Sequence, residues 1–274
     1  MTMQENTPES TPEVQNQSSD GGGGKRSGLI TGLLAIGVLL FKFVKPLLVG
    51  IKFLKFGALF KTGATMIVCM WAYANLWGWQ FAVAFVLLIF FHEMGHVYAL
   101  KQYGIRSTVP FFIPFVGAFV ALKEMPKNAE IEAWVGIAGP LVGTGAATLC
   151  WSYGLYTGQR FWFAVAYSGF FINLLNLLPV RPLDGGRTVA AISPKLWILG
   201  VIGLVLLLFR SFNPILLVIL FFGLQSLYQL WKKRHEDSNV YYAVPLKAKI
   251  QLSCCYFGLL LFLAYGMSQT QVHV

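Results

Sequence analysis

His92-Glu93-Met94-Gly95-His96 closes an apolar run that begins at Trp77. On a helix, residues four apart share a face, so the two imidazoles are placed to bind one Zn²⁺ while Glu93 points at a metal-held water. With four His and eight Glu in 274 residues, chance alone would give H-E-x-x-H in about two such sequences in a thousand. A glutamate and two histidines in a lipid-compatible helix are also costly, which itself argues for chemistry. The other histidines, His235 and His273, lie in a charged stretch and near the last residue, and read as solvated.

Catalytic zinc takes three protein ligands and keeps one position open, so a third is needed. The acidic residues downstream are Glu124, Glu130, Glu132, Asp184, Glu236 and Asp237. Glu236 and Asp237 belong to the charged stretch from Lys232, and the glutamates at 124, 130 and 132 accompany Lys123 and Lys127 in what reads as a polar connection. Asp184 stands alone between Glu132 and Glu236, behind Pro179 and Pro182 and ahead of Gly185-Gly186. The prolines break a helix, and the glycines are expected to free the chain to turn, so that Asp184 can leave the helical path.

The elements that must position these residues are membrane helices. A hydrophobic share of 56% with 12% charged residues and a mean hydropathy of +0.63 exclude an ordinary soluble domain. Apolar spans are expected at about 62–78, 80–100, 133–156, 161–179, 195–209, 212–231 and 249–267, giving an all-α polytopic membrane protein with about six to eight transmembrane helices. Residues 109–120 are apolar but carry Pro110, Pro114 and Gly117, which fits a re-entrant or hairpin element beside a polar cavity. Residues 1–27 are polar and end in four glycines; they are expected to be a disordered tail without the shape of a signal peptide. Lys42, Lys45, Lys52 and Lys55 gather on one helical face, so residues 28–61 are expected to lie along the membrane surface or to add a span. Residues 232–248 read as a cytoplasmic loop and 249–274 as a last helix and tail.

The net charge of +10 is scattered among the loops, which indicates membrane topology and not nucleic acid. Placing Lys61 inside also places Lys101, Arg106, Lys123, Lys127, Arg181, Arg187, Lys195, the Lys232-Lys233-Arg234 run, Lys247 and Lys249 inside, leaving Arg160 and Arg210 outside. The metal motif then lies toward the cytoplasmic side of what is expected to be the plasma membrane. Cys69, Cys150, Cys254 and Cys255 show no C-x-x-C spacing and read as small hydrophobes.

At Asn176, Pro179, Leu183, Asp184 and Gly185 the chain resembles the site-2 protease family of intramembrane zinc metalloproteases, which pairs H-E-x-x-H with a later N-x-x-P-x-x-x-L-D-G. Ala138-Gly139-Pro140 and Gly139-x-x-x-Gly143 resemble that family's central helix. The resemblance covers about residues 62–231, and Arg181 departs from it, standing where members often carry a proline or an apolar residue. It implies a catalytic core of site-2 protease type, with zinc on His92, His96 and Asp184, Glu93 as catalytic base and Asn176 engaging the substrate backbone. A single-span membrane protein would be the substrate. Two other readings stay open: a membrane zinc protease cutting soluble or peripheral chains with Glu124 as third ligand, and a metal-binding scaffold or transporter without hydrolysis. The presence of Glu93 counts against the second.

Overall fold

A computed structural model describes residues 57–210, 214–232 and 240–271. The tail (1–27), nearly all of segment 28–61 and residues 233–239 of the 232–248 loop lie outside the described residues.

The first described helix, α1 (Ala58–Trp77), is followed after Gly78 by α2 (Trp79–Gln102). The α2 sequence has no proline and no glycine before Gly95, so nothing interrupts the helix up to the metal motif in its second half. A short hairpin follows, β1 (Phe111–Ile113) and β2 (Gly117–Phe119), paired antiparallel with Phe112 opposite Ala118. Its turn needs Phe115 at φ 65° and Gly117 at φ 117°, the second a conformation glycine adopts readily. The apolar, proline-broken 109–120 stretch is therefore a β-hairpin in a chain that is otherwise mainly helical, with eight helices among the described residues.

The central helix α3 (Ala129–Thr157) starts where the Asn128 side chain accepts a bond from Ile131 N at 2.9 Å. It ends at Gly158 in the left-handed region, φ 68°. Glu130 and Glu132 lie in its first turn, where acidic side chains favour the helix dipole. This corrects the reading of these residues as part of a polar connection, and Glu132 is in fact buried. Next come α4 (Arg160–Asn176), α5 (Asp184–Ile192), α6 (Leu196–Arg210), α7 (Pro214–Lys232) and α8 (Leu246–Thr270).

Of these, α2, α3 and α8 are long and apolar enough to cross a membrane. α4 stops at Asn176, short of the expected 179, because Pro179 cannot continue it. The short helix α5 was not expected. Asp184 is its first residue, and Gly185 and Gly186 lie inside it instead of forming a turn. Close approach explains these glycines: a Cβ on Gly185 would run into the Leu177 backbone, and one on Gly186 into Val180 and Arg181. Packing thus overrides the weak helix propensity of the pair.

α3 is the platform of the site. Gly136, Gly139 and Gly143 recur along one face, and a Cβ at each would meet α5 backbone and side chains, the His96 ring and the Asn173 amide respectively. The Gly139-x-x-x-Gly143 spacing is therefore close packing, and it is packing against site residues. Behind it a core of Leu88, Ile137, Ala147, Phe170, Val189 and Leu263 ties α2, α3, α4, α5 and α8 together.

Candidate metal centre

α2 carries His92, Glu93 and His96 on its buried face, at 3%, 7% and 7% exposure. α5 brings Asp184, 8% exposed, against them from nearly ninety residues away in sequence. Asp184 Oδ2 lies 3.1 Å from His92 Nε2 and 3.1 Å from His96 Nε2, and the two nitrogens are 3.2 Å apart. These three atoms form a nearly equilateral triangle.

The far side of each imidazole fixes which nitrogen faces the triangle. Asn173 Nδ2 donates to Gly169 O at 2.7 Å, so its Oδ1 must be the atom turned to His92 Nδ1 at 2.8 Å. An amide oxygen only accepts, so His92 Nδ1 carries the proton and, in the neutral ring, Nε2 keeps its lone pair. His96 Nδ1 likewise donates to Val135 O at 2.8 Å and leaves Nε2 free. Two lone pairs and a carboxylate oxygen thus converge, an arrangement that repels itself unless a cation lies between them. With bonds of about 2.0–2.2 Å, a tetrahedral centre has ligand-to-ligand edges of about 3.3–3.5 Å, a few tenths longer than the edges here. The donor set fits zinc, and His92, His96 and Asp184 form a group able to hold a metal ion.

A cavity of about 290 Å³ opens on this triangle, lined also by Glu93, Asn176, Leu183, Arg187 and the hairpin residues Val116, Ala118, Phe119 and Val120. The hairpin is pinned from the other side by α1. Thr62 Oγ1 donates to Pro110 O at 2.8 Å, Phe112 N donates to Thr65 Oγ1 at 3.3 Å, and Phe115 N donates to Tyr73 OH at 3.0 Å. One edge of β2 pairs with β1; among the described residues its other edge has no strand partner.

Of the expected site residues, His92, Glu93, His96 and Asp184 are brought together, and Asn176 lines the same cavity, where its Nδ2 donates to Ile172 O at 3.2 Å. Glu124 is engaged elsewhere, in an exposed pair with Arg106 at 2.6 Å. Asn173 was missed by the sequence reading although it orients His92. The signal was there: two asparagines one turn apart, Asn173 and Asn176, in an otherwise apolar helix.

Residues 80–159 match the model of Peptidase family M50, a stretch that includes His92, Glu93 and His96 but ends before Asp184. Zinc metalloprotease MJ0392 of Methanocaldococcus jannaschii is 30% identical over 154 residues, 53% of this chain and 44% of its own. The probable chloroplastic zinc metalloprotease EGY2 of Oryza sativa subsp. indica is 26% identical over 242 residues, 67% of this chain and 42% of its own. Stage IV sporulation protein FB of Bacillus subtilis is 27% identical over 112 residues, 40% of this chain and 39% of its own. The chain thus spans less than half the length of each of these relatives. The expected likeness to the site-2 protease family of zinc metalloproteases is borne out by the family match and by these relatives.

Proposed function

We propose that the chain is an intramembrane zinc metalloprotease that hydrolyses a peptide bond in or near a transmembrane segment of a single-span membrane protein, the step at the centre of regulated intramembrane proteolysis. The observation that carries this reading is the convergence of His92 Nε2, His96 Nε2 and Asp184 Oδ2 within 3.1–3.2 Å of one another, with Glu93 on the same helix face. His92, His96 and Asp184 are the metal ligands. When bound, zinc supplies a Lewis acid that polarises the scissile carbonyl and acidifies a water.

Glu93 takes one proton from the attacking water and later delivers it to the leaving amine, so its carboxylate ends the cycle as it began. Asn173 and the Val135 carbonyl hold the imidazoles in one tautomer and orientation. Asn176 engages the substrate backbone from the cavity wall. A helical substrate shields its own carbonyls, so it must unwind locally before it is cut. The unpaired edge of β2 beside the cavity is suited to receive the unwound segment as an added strand.

The remaining apolar helices complete a core of about six to eight spans. The distribution of Lys and Arg supports an active site toward the cytoplasmic face of the plasma membrane. Replacing the native chain by Glu93→Gln in cells tests this function. Single-span proteins should accumulate uncut in the membrane proteome. Membrane proteomes that do not differ between the two strains would reject the reading.

A further inference from the structure

We propose that Arg181, Glu132 and Tyr241 form a clamp that positions the loop between Asn176 and Asp184, which makes residues 240–270 a working part of the catalytic unit. This rests on the zinc-protease reading above. The loop, residues 177–183, joins α4 to α5, and is flanked by two residues of the cavity, Asn176 and Asp184. Arg181 Nη2 donates to both carboxylate oxygens of Glu132, at 2.9 and 2.8 Å. Tyr241 OH donates to Glu132 Oε2 at 2.8 Å, and the Tyr241 carbonyl accepts from Ala129 N at 3.0 Å, so the segment ahead of α8 is bonded twice to the start of α3.

The other face of Arg181 lies over the Trp197 ring, 5.2 Å from its centre, and Trp197 Nε1 donates to Gly186 O at 2.8 Å, two residues beyond Asp184. Tyr256 of α8 donates its hydroxyl to Leu177 O at 2.5 Å, the first residue of the loop. The loop is therefore held at its start by α8, at its middle by α3 and α6, and just past its end by α6.

The chemistry of the pair explains the departure at position 181. The Glu132 side chain is only 9% exposed, and a carboxylate buried to that degree needs a cation and hydrogen-bond donors. Arg181 supplies the charge and Tyr241 a further donor. Burial, and then the Glu132 carboxylate, push the Tyr241 phenol above its usual range, so it remains a donor throughout the neutral range. None of the three side chains lines the metal cavity. They act through Pro182, Leu183 and Asp184, and are positioning residues.

The test uses the purified chain in detergent and compares Tyr241→Phe, Arg181→Met, Arg181→Lys and the double variant Glu132→Gln/Arg181→Met with the wild type. Three quantities are read: the rate of zinc loss to a chelator, hydrogen exchange of amides 177–187, and kcat and KM on a single-span substrate. Partners that support a ligand directly change metal affinity about 10–100-fold, so a clamp one step further out should speed zinc loss about three- to tenfold in Tyr241→Phe and Arg181→Met. Exchange should quicken at 177–187, kcat should fall with KM little changed, Arg181→Lys should recover part of the loss, and the double variant should be no worse than Arg181→Met. Lowered melting temperature with wild-type zinc loss and wild-type exchange at 177–187 would overturn the clamp, as would a double variant that loses zinc faster than Arg181→Met. A wild type that holds no zinc would reject the zinc reading instead, and the exchange measurement would still decide the clamp.

Discussion

Asn173→Ala removes the acceptor of the His92 Nδ1 proton without touching an atom of the metal triangle. Asn173 is 2% exposed and His92 3%, so the orphaned N–H has little access to bulk water. An unmade hydrogen bond at a buried donor costs about 1–3 kcal/mol, which at 1.4 kcal/mol per decade is about 5- to 150-fold in affinity. Outer partners of metal-bound histidines measured in other proteins fall in the same range, about 10–100-fold. Zinc affinity by chelator competition at fixed pH should drop accordingly. Asn173→Asp separates orientation from volume: a carboxylate oxygen accepts from His92 as the amide did, while the bond to Gly169 O is lost, so this variant should bind zinc at least as tightly as the wild type. Wild-type affinity in Asn173→Ala, or an Asp variant as weak as the Ala one, would refute the account of how His92 is oriented.

Gly139→Ala drives a methyl into the His96 ring and should cost at least tenfold in zinc affinity by the same assay, because α3 backbone cannot retreat from α2. Asp184→Ala should abolish zinc retention, whereas Glu124→Ala, which breaks only an exposed pair with Arg106, should leave zinc content unchanged and cost about 0–1 kcal/mol of stability; metal analysis with melting temperatures checks both. Single cysteines at positions 101 and 127 should react with impermeant thiol reagents only once the cytoplasmic side is opened, while one at 160 should react in intact cells.

The metal motif was legible because it is local: a four-residue spacing on one helix needs no knowledge of the fold. Asp184 became legible only through the family resemblance at residues 176–185, since a lone aspartate after prolines looks like any solvated loop residue. The prolines and glycine of 109–120 announced a non-helical element, and a hairpin is what formed there. Asn173 was within reach, because the cost of a polar side chain in an apolar helix, the argument that singled out His92 and Glu93, applies to it equally. Glu132 and Arg181 were not. They are 49 residues apart, and a Glu near Lys123 and Lys127 has the composition of a wet loop until α3 is seen to start at Ala129 and bury it. Helix α5 was hidden for a similar reason, because Gly185-Gly186 favours a turn until the Leu177 and Val180 backbones press against it.

The most direct test of the central claim is zinc content and cleavage measured side by side on purified wild type, Glu93→Gln and Asp184→Ala reconstituted in liposomes with a single-span substrate. The account predicts one zinc per chain with cleavage in the wild type, one zinc without cleavage in Glu93→Gln, and neither in Asp184→Ala. Cleavage that survives in Glu93→Gln, or stoichiometric zinc in Asp184→Ala, would contradict it.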